Sequence, residues 1–298
     1  MSTPSGPGPA PQSGALPELD RLAADVDRLL ALIGEGADRL DARFARTAAR
    51  YAARTAVSDA DGEVTFLELD WLATETARRL EGRARPGSPV TLRLSGSRHA
   101  PAAVLGVLRA GFTPLPAAPD TTVGGALVVT DLGPAADETP LAKSGPFVIA
   151  GCDAPADGPA VGTARVLARL DGSAALLGTG PDDVWLAAHP PGSALAGREP
   201  WEPLLSGARL LLADPHDEPP HLARLVERGG VTVFDGTPGL FAALVAGAVA
   251  GHVRLPALRR VVVTGGPRRT DVERWRDAAV APDAVLLGWD AEGVAYEV

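Results

Sequence analysis

The residues with the clearest chemical meaning lie at 147–161, FVIAGCDAPADGPAV, where a strand pattern gives way to a helix pattern. At such a turn, backbone N–H groups and a helix N-terminus attract phosphate, and glycine, hydroxyl and lysine side chains usually surround it. This turn instead carries Asp153 and Asp157, two prolines without N–H groups (Pro155 and Pro159), and no Lys, Ser or Thr. The sequence therefore predicts a turn that repels a triphosphate.

Composition narrows the classes of function. The 298 residues are 46% hydrophobic, enough for one large domain or two close-packed lobes. A formal net charge of −9 without a basic cluster argues against a nucleic-acid partner. No apolar run is long enough to span a membrane and no signal-peptide pattern opens the chain, so we expect a cytoplasmic protein. The single cysteine, Cys152, excludes an internal disulfide, and the histidines lack ligand spacing, so we expect no metal site.

Alternating strand and helix patterns between residues 41 and 298 must position this turn. A helix at 41–54 and a β-hairpin turning at 59–62 precede a run of strands and helices, and the second half repeats the βα plan. Alternation of this kind makes parallel sheets covered on both faces, so the predicted fold class is α/β, with two packed doubly wound lobes. Four tryptophans in these elements are predicted to be core or lobe-interface residues: Trp71, Trp185, Trp201 and Trp275.

Two segments precede this predicted core. Residues 1–17 are rich in Pro, Gly and Ser and are predicted to be a disordered tail. Residues 18–40 are predicted to form an amphipathic helix, ending at Gly34 and Gly36, and a linker. Its apolar residues recur at spacings of 3, 4, 3 and 4: Leu19, Leu22, Val26, Leu29 and Ile33. This seam fits either a helix that lies on the chain's own core or a partner-docking helix, and both interpretations stay open.

Five short segments then follow one another in a particular order. They are VTFLEL at 64–69, LRAG at 108–111, LLSGARL at 204–210, VTVFDGTP at 231–238, and LPALR at 255–259 leading to a glycine pair. Together they resemble the adenylation domains of nonribosomal peptide synthetases, members of the adenylate-forming (AMP-binding) acyl-ligase superfamily, over roughly residues 41–293. The resemblance implies the N-terminal core of these enzymes, and we expect the chain to lack the family's small β-barrel and its C-terminal lobe with the catalytic lysine.

The resemblance implies an activity, in which ATP and a carboxylic acid give an acyl-adenylate and then a thioester on a carrier protein. This chemistry needs a phosphate-holding loop, a carboxylate for Mg²⁺ and a mobile lobe. The family's phosphate loop, Y-T-S-G-S-T-G-x-P-K-G, aligns without gaps on residues 150–160, where every hydroxyl and the lysine are replaced. The degenerate loop comprises Gly151, Cys152, Asp153, Ala154, Pro155, Ala156 and Pro159.

Other family positions are altered as well. The motif F-D-x-S, whose Asp holds the substrate's α-amino group, aligns on 193–196 and places alanine at that Asp. The Glu that follows the glycine pair is Pro267, and the Mg²⁺-binding Glu of Y-G-P-T-E aligns with Ala291. The resemblance implies a vestigial nucleotide and substrate pocket comprising Ala194, Thr237, Gly265, Gly266, Trp289 and Asp290. Within it, Trp289 is a candidate to plug the vacated space.

We therefore expect a catalytically inactive adenylation-domain homologue, without catalytic residues or cofactors, that serves as an interaction or scaffold partner in nonribosomal peptide biosynthesis. Expected partners are a peptide synthetase module, a carrier protein, a small accessory protein or a tailoring enzyme, with no nucleic acid and no membrane. Two alternatives stay open. One is a split ligase that activates an amino, aryl or keto acid with ATP and Mg²⁺, completed by a separate chain; the other is a non-catalytic acid or nucleotide sensor.

Overall fold

The structure, a computed structural model, describes residues 39–94, 96–117, 127–131, 147–151, 163–189, 199–214, 218–289 and 295–298. The predicted tail at 1–17 and the predicted helix at 18–33, with its seam Leu19, Leu22, Val26, Leu29 and Ile33, lie outside the described residues.

Three helices and six strands are described in the first half of the chain. In chain order they are α1 (Leu40–Arg50), β1 (Thr55–Asp59), β2 (Gly62–Thr65), α2 (Phe66–Leu80), β3 (Pro89–Arg93), α3 (Ala100–Arg109), β4 (Thr113–Ala117), β5 (Leu127–Asp131) and β6 (Phe147–Gly151).

Five helices and six strands are described in the second half. In chain order they are α4 (Thr163–Leu177), β7 (Val184–Ala187), α5 (Trp201–Ser206), β8 (Arg209–Leu212), α6 (Pro219–Gly229), β9 (Val233–Gly236), α7 (Pro238–Gly251), β10 (Arg260–Thr264), α8 (Arg269–Asp277), β11 (Val285–Trp289) and β12 (Ala295–Glu297).

Local capping explains where α2 begins. The hydroxyl of Thr65 accepts a hydrogen bond from the backbone N–H of Glu68 at 3.2 Å, and the Glu68 carboxylate accepts one from the Thr65 N–H at 2.8 Å. This reciprocal capping box satisfies two N–H groups that a helix end leaves free. The helix therefore begins at Phe66.

The described strands form two sheets. The larger sheet has eight strands in the order β12-β11-β10-β9-β7-β8-β1-β2, and the smaller has four in the order β4-β3-β5-β6. In the larger sheet, the strands from β11 to β1 run parallel to their neighbours, and antiparallel β12 and β2 close the two edges. The predicted α/β class with two packed doubly wound lobes is confirmed.

One detail of the predicted topology is wrong, and the sheet that the hairpin joins was not predicted. The hairpin β1–β2 comes early in the chain but joins the larger sheet, because β1 pairs with β8 through Val57 and Ser58. The strand β6 runs antiparallel to β5, whereas the alternation predicted a parallel sheet. A parallel return needs a crossover, usually a helix, and the connecting sequence carries Pro134, Pro140 and Pro146, which disfavour one.

The core consists of two hydrophobic clusters, of which the first joins the two lobes. The first joins α1, α2 and α3 to both sheets, with Phe44, Phe66 and Leu92 almost fully buried. The second lies on the other face of the larger sheet, where Phe234 and Phe241 pack beneath α6, α7 and α8. Because the first cluster contains residues of both sheets, the lobes share a core rather than meeting across a surface interface.

The four tryptophans divide between core and surface. Trp185, Trp201 and Trp275 are 2%, 3% and 4% exposed, as predicted for core residues. Trp71 is 60% exposed, so its predicted core position is wrong. In α2 the buried positions include Leu69 and Ala73, and the helical period turns Trp71 away from them.

Candidate functional site

The carboxyl ends of β9, β10 and β11 lie side by side, because the three strands are parallel neighbours. Ligands of open α/β sheets bind at this edge. Thr237 follows β9 directly and is the N-cap of α7, where its hydroxyl accepts a hydrogen bond from the Leu240 N–H at 3.2 Å. The hydroxyl is half-buried and already serves the helix terminus.

The glycine pair after β10 makes a tight turn against the end of β11. Gly265 and Gly266 have φ angles of 89° and 77°, in the region that favours glycine. The Gly265 N–H donates to the carbonyl oxygen of Trp289 at 2.6 Å, and the Gly266 N–H donates to Val263 at 3.0 Å. A methyl group at Gly265 would lie 4.0 Å from Cγ of Pro238, at the start of α7. Thr237, Gly265, Gly266 and Trp289 are therefore neighbours at one sheet edge.

A tyrosine that sequence reasoning missed covers part of this edge. Tyr296 in β12 pairs directly with Gly288 in β11. Methyl groups placed on Gly288 or Gly266 would overlap the Tyr296 ring or its hydroxyl. The ring therefore lies across both glycines and fills the space beside them. No pattern in the sequence indicates this contact, because β12 is short and its partner strand cannot be read from its own residues.

Trp289 has a different role from Tyr296. Side chains alternate along β11, so Trp289 points to the opposite face from the Gly288–Tyr296 pair. There it is half-buried and packs, with Leu287, against the first hydrophobic cluster. The aromatic ring over Gly266 and Gly288 is thus that of Tyr296, while Trp289 contributes to the core.

The degenerate phosphate loop connects β6 with α4. Gly151 is the last residue of β6, opposite Leu127 of β5, and α4 begins at Thr163. The remaining loop positions lie outside the described residues: Cys152, Asp153, Ala154, Pro155, Ala156 and Pro159. Two pocket positions, Ala194 and Asp290, also lie outside them.

A buried polar pair holds the two ends of the segment that contains Ala194. Glu199 accepts a hydrogen bond from the backbone N–H of Ala188 at 3.1 Å, and its Oε1 lies 2.8 Å from Nδ1 of His189. The side chains of His189 and Glu199 are 8% and 6% exposed. The structure brings them together as a clamp between the end of β7 and the start of α5.

Other site types find little support in the described part of the chain. Within it, no group of three or more His, Cys, Asp and Glu side chains is arranged to hold a metal ion. Among the helices described, none is both long and apolar enough to cross a membrane. A cleft of about 230 Å³ lined by Val226, Glu227, Arg254 and Leu255 lies at the amino edge of the larger sheet, opposite the candidate site.

Comparison with known proteins relates this geometry to a family and to solved structures. The family model described as AMP-binding enzyme matches residues 44–136 and 161–289. The unmatched residues between these ranges contain the degenerate loop. The comparison with curated proteins found no match.

Solved structures share the fold. The nonribosomal peptide synthetase FmoA3 matches with a TM-score of 0.73 and 23% identity over 88% of this chain. Its AMPPNP-bound form matches with a TM-score of 0.72 and 26% identity over 85% of this chain. This chain spans 32% and 31% of those chains.

A smaller protein matches over most of its own length. The Klebsiella oxytoca NpsA N-terminal subdomain, in complex with 3-hydroxybenzoyl-AMSN, has a TM-score of 0.67 and 20% identity, with coverage of 88% of this chain and 76% of that chain. At this identity the match shows the fold alone. The family-model match covers well over half of the residues, and the chain therefore belongs to the AMP-binding enzyme family.

Proposed function

We propose that this member of the AMP-binding enzyme family does not form an acyl-adenylate and instead acts through protein contacts in nonribosomal peptide biosynthesis. One observation carries the proposal. The connection from β6 to α4, residues 152–162, contains Asp153 and Asp157 but no Lys, Arg, Ser or Thr. By the motif resemblance described above, this connection is where the phosphates of ATP would be held.

Electrostatics decides the direction of the effect. Two unit charges 4 Å apart interact by about 4 kcal/mol near a protein surface. Pro159 stands where the resemblance places the lysine, so that attraction is lost, and Asp153 stands at a glycine position and adds a repulsion. Pro155 and Pro159 also remove two backbone N–H donors that a phosphate loop would use. Attraction is thereby exchanged for repulsion where the triphosphate is most highly charged.

The sheet edge supports the same conclusion. The Tyr296 ring fills the space beside Gly266 and Gly288, and the Thr237 hydroxyl is engaged as a helix cap. The ring thus occupies space at the edge where the resemblance implies the nucleotide pocket. Meanwhile the caps, turns and apolar strands remain consistent with one another, which indicates selection for a folded scaffold.

The proposed class of partner rests on the proteins with which adenylation domains are found joined. One structural neighbour is NpsA-ThdA, an artificially fused adenylation–PCP di-domain, which matches this chain with a TM-score of 0.66 and 18% identity. We propose a carrier protein or a synthetase module as the partner of this chain, with a small accessory protein or a tailoring enzyme as further members of the same class.

Two measurements test the two halves of the proposal. Thermal unfolding of the full chain is followed with ATP–Mg²⁺, AMP and a non-hydrolysable acyl-adenylate analogue; we expect no shift in Tm. A ligand present at 100 times its Kd would stabilise the fold by about 2.7 kcal/mol, so binding would be visible. A saturable shift with ATP–Mg²⁺ would support a split ligase, and a shift with AMP alone would support a sensor.

The protein-contact half is tested by titrating the labelled chain with a purified carrier protein and with a synthetase module. We expect saturable binding to at least one of them that does not depend on added ATP. The absence of binding to both, from a well-folded sample, would remove the support for this partner class.

A further inference from the structure

One outward face of α2 is unusually apolar. Four positions at spacings of 4, 3 and 4 point to solvent, Leu67, Trp71, Thr74 and Arg78, and we name them the outer stripe. Leu67 and Trp71 are 61% and 60% exposed, the two highest values among large hydrophobic side chains of the described residues. Side chains four residues apart on a helix are neighbours, so these two form one continuous apolar surface.

The outer stripe lies beside the point where the described chain begins. The guanidinium of Arg39 donates a hydrogen bond to the carbonyl oxygen of Leu108 at 2.5 Å. Arg109, which follows Leu108 at the end of α3, donates to the carboxylate of Asp70 at 2.6 Å and to the backbone carbonyl of Asp70 at 3.1 Å. Asp70 is the immediate neighbour of Trp71 in α2. The start of the described chain and the residue next to Trp71 are therefore linked through consecutive residues at the end of α3.

The sequence before Arg39 carries a complementary surface. The seam Leu19, Leu22, Val26, Leu29 and Ile33 recurs at spacings of 3, 4, 3 and 4, the same period as the outer stripe. Only residues 34–38, GEGAD, separate Ile33 from Arg39, and extended they reach about 17 Å. Two glycines in this link allow the chain to reverse direction.

From these observations we infer that the helix at 18–33 docks its seam along the outer stripe of the same chain. The interaction buries Leu67 and Trp71 between two helices with the seam packing of an antiparallel pair. A short link holds the segment at a high effective concentration, so the intramolecular contact forms in preference to one between chains. This inference assigns the helix to the chain's own surface and is independent of the proposed loss of adenylate formation.

Hydroxyl-radical footprinting of the full-length protein tests the inference, because it reads the exposure of Trp71 directly. The test variant is Val26→Asp, which places a charge in the middle of the seam. The matched control is Ala24→Asp, which places the same charge on the opposite face of the predicted helix. Tyr296, 47% exposed, serves as the exposed reference in every sample, and Trp185, 2% exposed, as the buried one.

We expect Trp71 to be oxidised severalfold more slowly in the wild-type protein and in Ala24→Asp than in Val26→Asp, while Tyr296 is oxidised equally in all three. This protection should not change with protein concentration. Equal oxidation of Trp71 in all three proteins would overturn the inference. Protection that appears only at high concentration would also overturn it, because the stripe would then be covered by a second copy.

Discussion

The ion pair of Asp183 and Arg259 offers a quantitative test of how the sheet is held together. Asp183, at the start of β7, accepts hydrogen bonds from Nε of Arg259 at 2.8 Å and from a terminal nitrogen of Arg259 at 2.6 Å. It also accepts from the hydroxyl of Thr232 at 2.7 Å and the N–H of Gly180 at 2.9 Å. Arg259 donates in addition to the carbonyl oxygen of Leu177 at 2.6 Å. The carboxylate thus connects α4, β7 and the segments leading into β9 and β10.

Replacing Asp183 with Asn leaves the Arg259 guanidinium without its counter-ion. Breaking a buried pair typically costs 3–5 kcal/mol, and because the Arg259 side chain is 31% exposed and partly hydrated we expect about 3 kcal/mol. For a protein of this size, about 3 kcal/mol corresponds to a fall in Tm of roughly 8 °C. Urea unfolding followed by far-UV circular dichroism measures the change in the free energy of unfolding.

The adjacent residue supplies a matched control. Asp182 also forms an ion pair, with Arg54 at 2.9 Å, but its side chain is 92% exposed. Exposed pairs contribute roughly 0–1 kcal/mol, so Asp182→Asn should change stability by less than about 1 kcal/mol. If Asp183→Asn costs no more than Asp182→Asn, the reasoning about the buried cluster is wrong.

The pH dependence has a definite sign. Burial alone would raise the pKa of Asp183, but hydrogen bonds from Arg259, Thr232 and Gly180 outweigh it and hold the pKa below its usual 3.8. A lowered pKa in the folded state means that the stabilisation is fully present above the pKa of the unfolded state. It is lost as pH falls through the folded-state value. The stability difference between wild type and Asp183→Asn should therefore be constant near neutral pH and shrink below pH 3.8.

Two further predictions concern glycines. Gly247→Ala should destabilise the protein by about 2 kcal/mol, because the new methyl group would overlap the carbonyl of Pro219 where α7 crosses α6. Gly239→Ala, in the same helix but with room for a methyl group, should be neutral or stabilising by up to about 1 kcal/mol. Equal changes in the free energy of unfolding in urea would contradict the packing argument. Gly266→Ala should lower the free energy of unfolding by about 1–3 kcal/mol, because of its positive φ and because the methyl group would overlap Tyr296. In the double variant, Tyr296→Ala should relieve only the part that comes from the overlap. Full additivity of the two substitutions would argue against their contact.

The order of helices and strands was predictable because each depends mainly on residues that are neighbours in the sequence. The capping box at Thr65 and the continuous run of three valines in β10 need no knowledge of distant partners. The pairing of strands was harder to predict, because nothing in the residues of β1 indicates that it joins β8 rather than the smaller sheet. The same limit explains why Tyr296 was missed, since its significance arises only when β12 pairs with Gly288 across the sheet.

Surface exposure was predicted least well. Trp71 is a large apolar residue within a helix and was expected in the core, but the buried face of α2 is set by Leu69, Ala73 and their neighbours. Trp71 lies outside this buried face. Residue type alone would place it in the core, whereas the helical period correctly places it at the surface. The degenerate loop and the positions Ala194 and Asp290 remain predictions from the resemblance.

Calorimetric titration of the full chain with a non-hydrolysable acyl-adenylate analogue, and then with ATP–Mg²⁺, tests the central claim most directly. The Klebsiella oxytoca NpsA N-terminal subdomain, solved in complex with 3-hydroxybenzoyl-AMSN, is the positive control with that ligand, and it matches 88% of this chain. We predict no saturable heat with either ligand from a protein that unfolds cooperatively. Saturable binding with a micromolar Kd would contradict the account and show that the nucleotide site is functional.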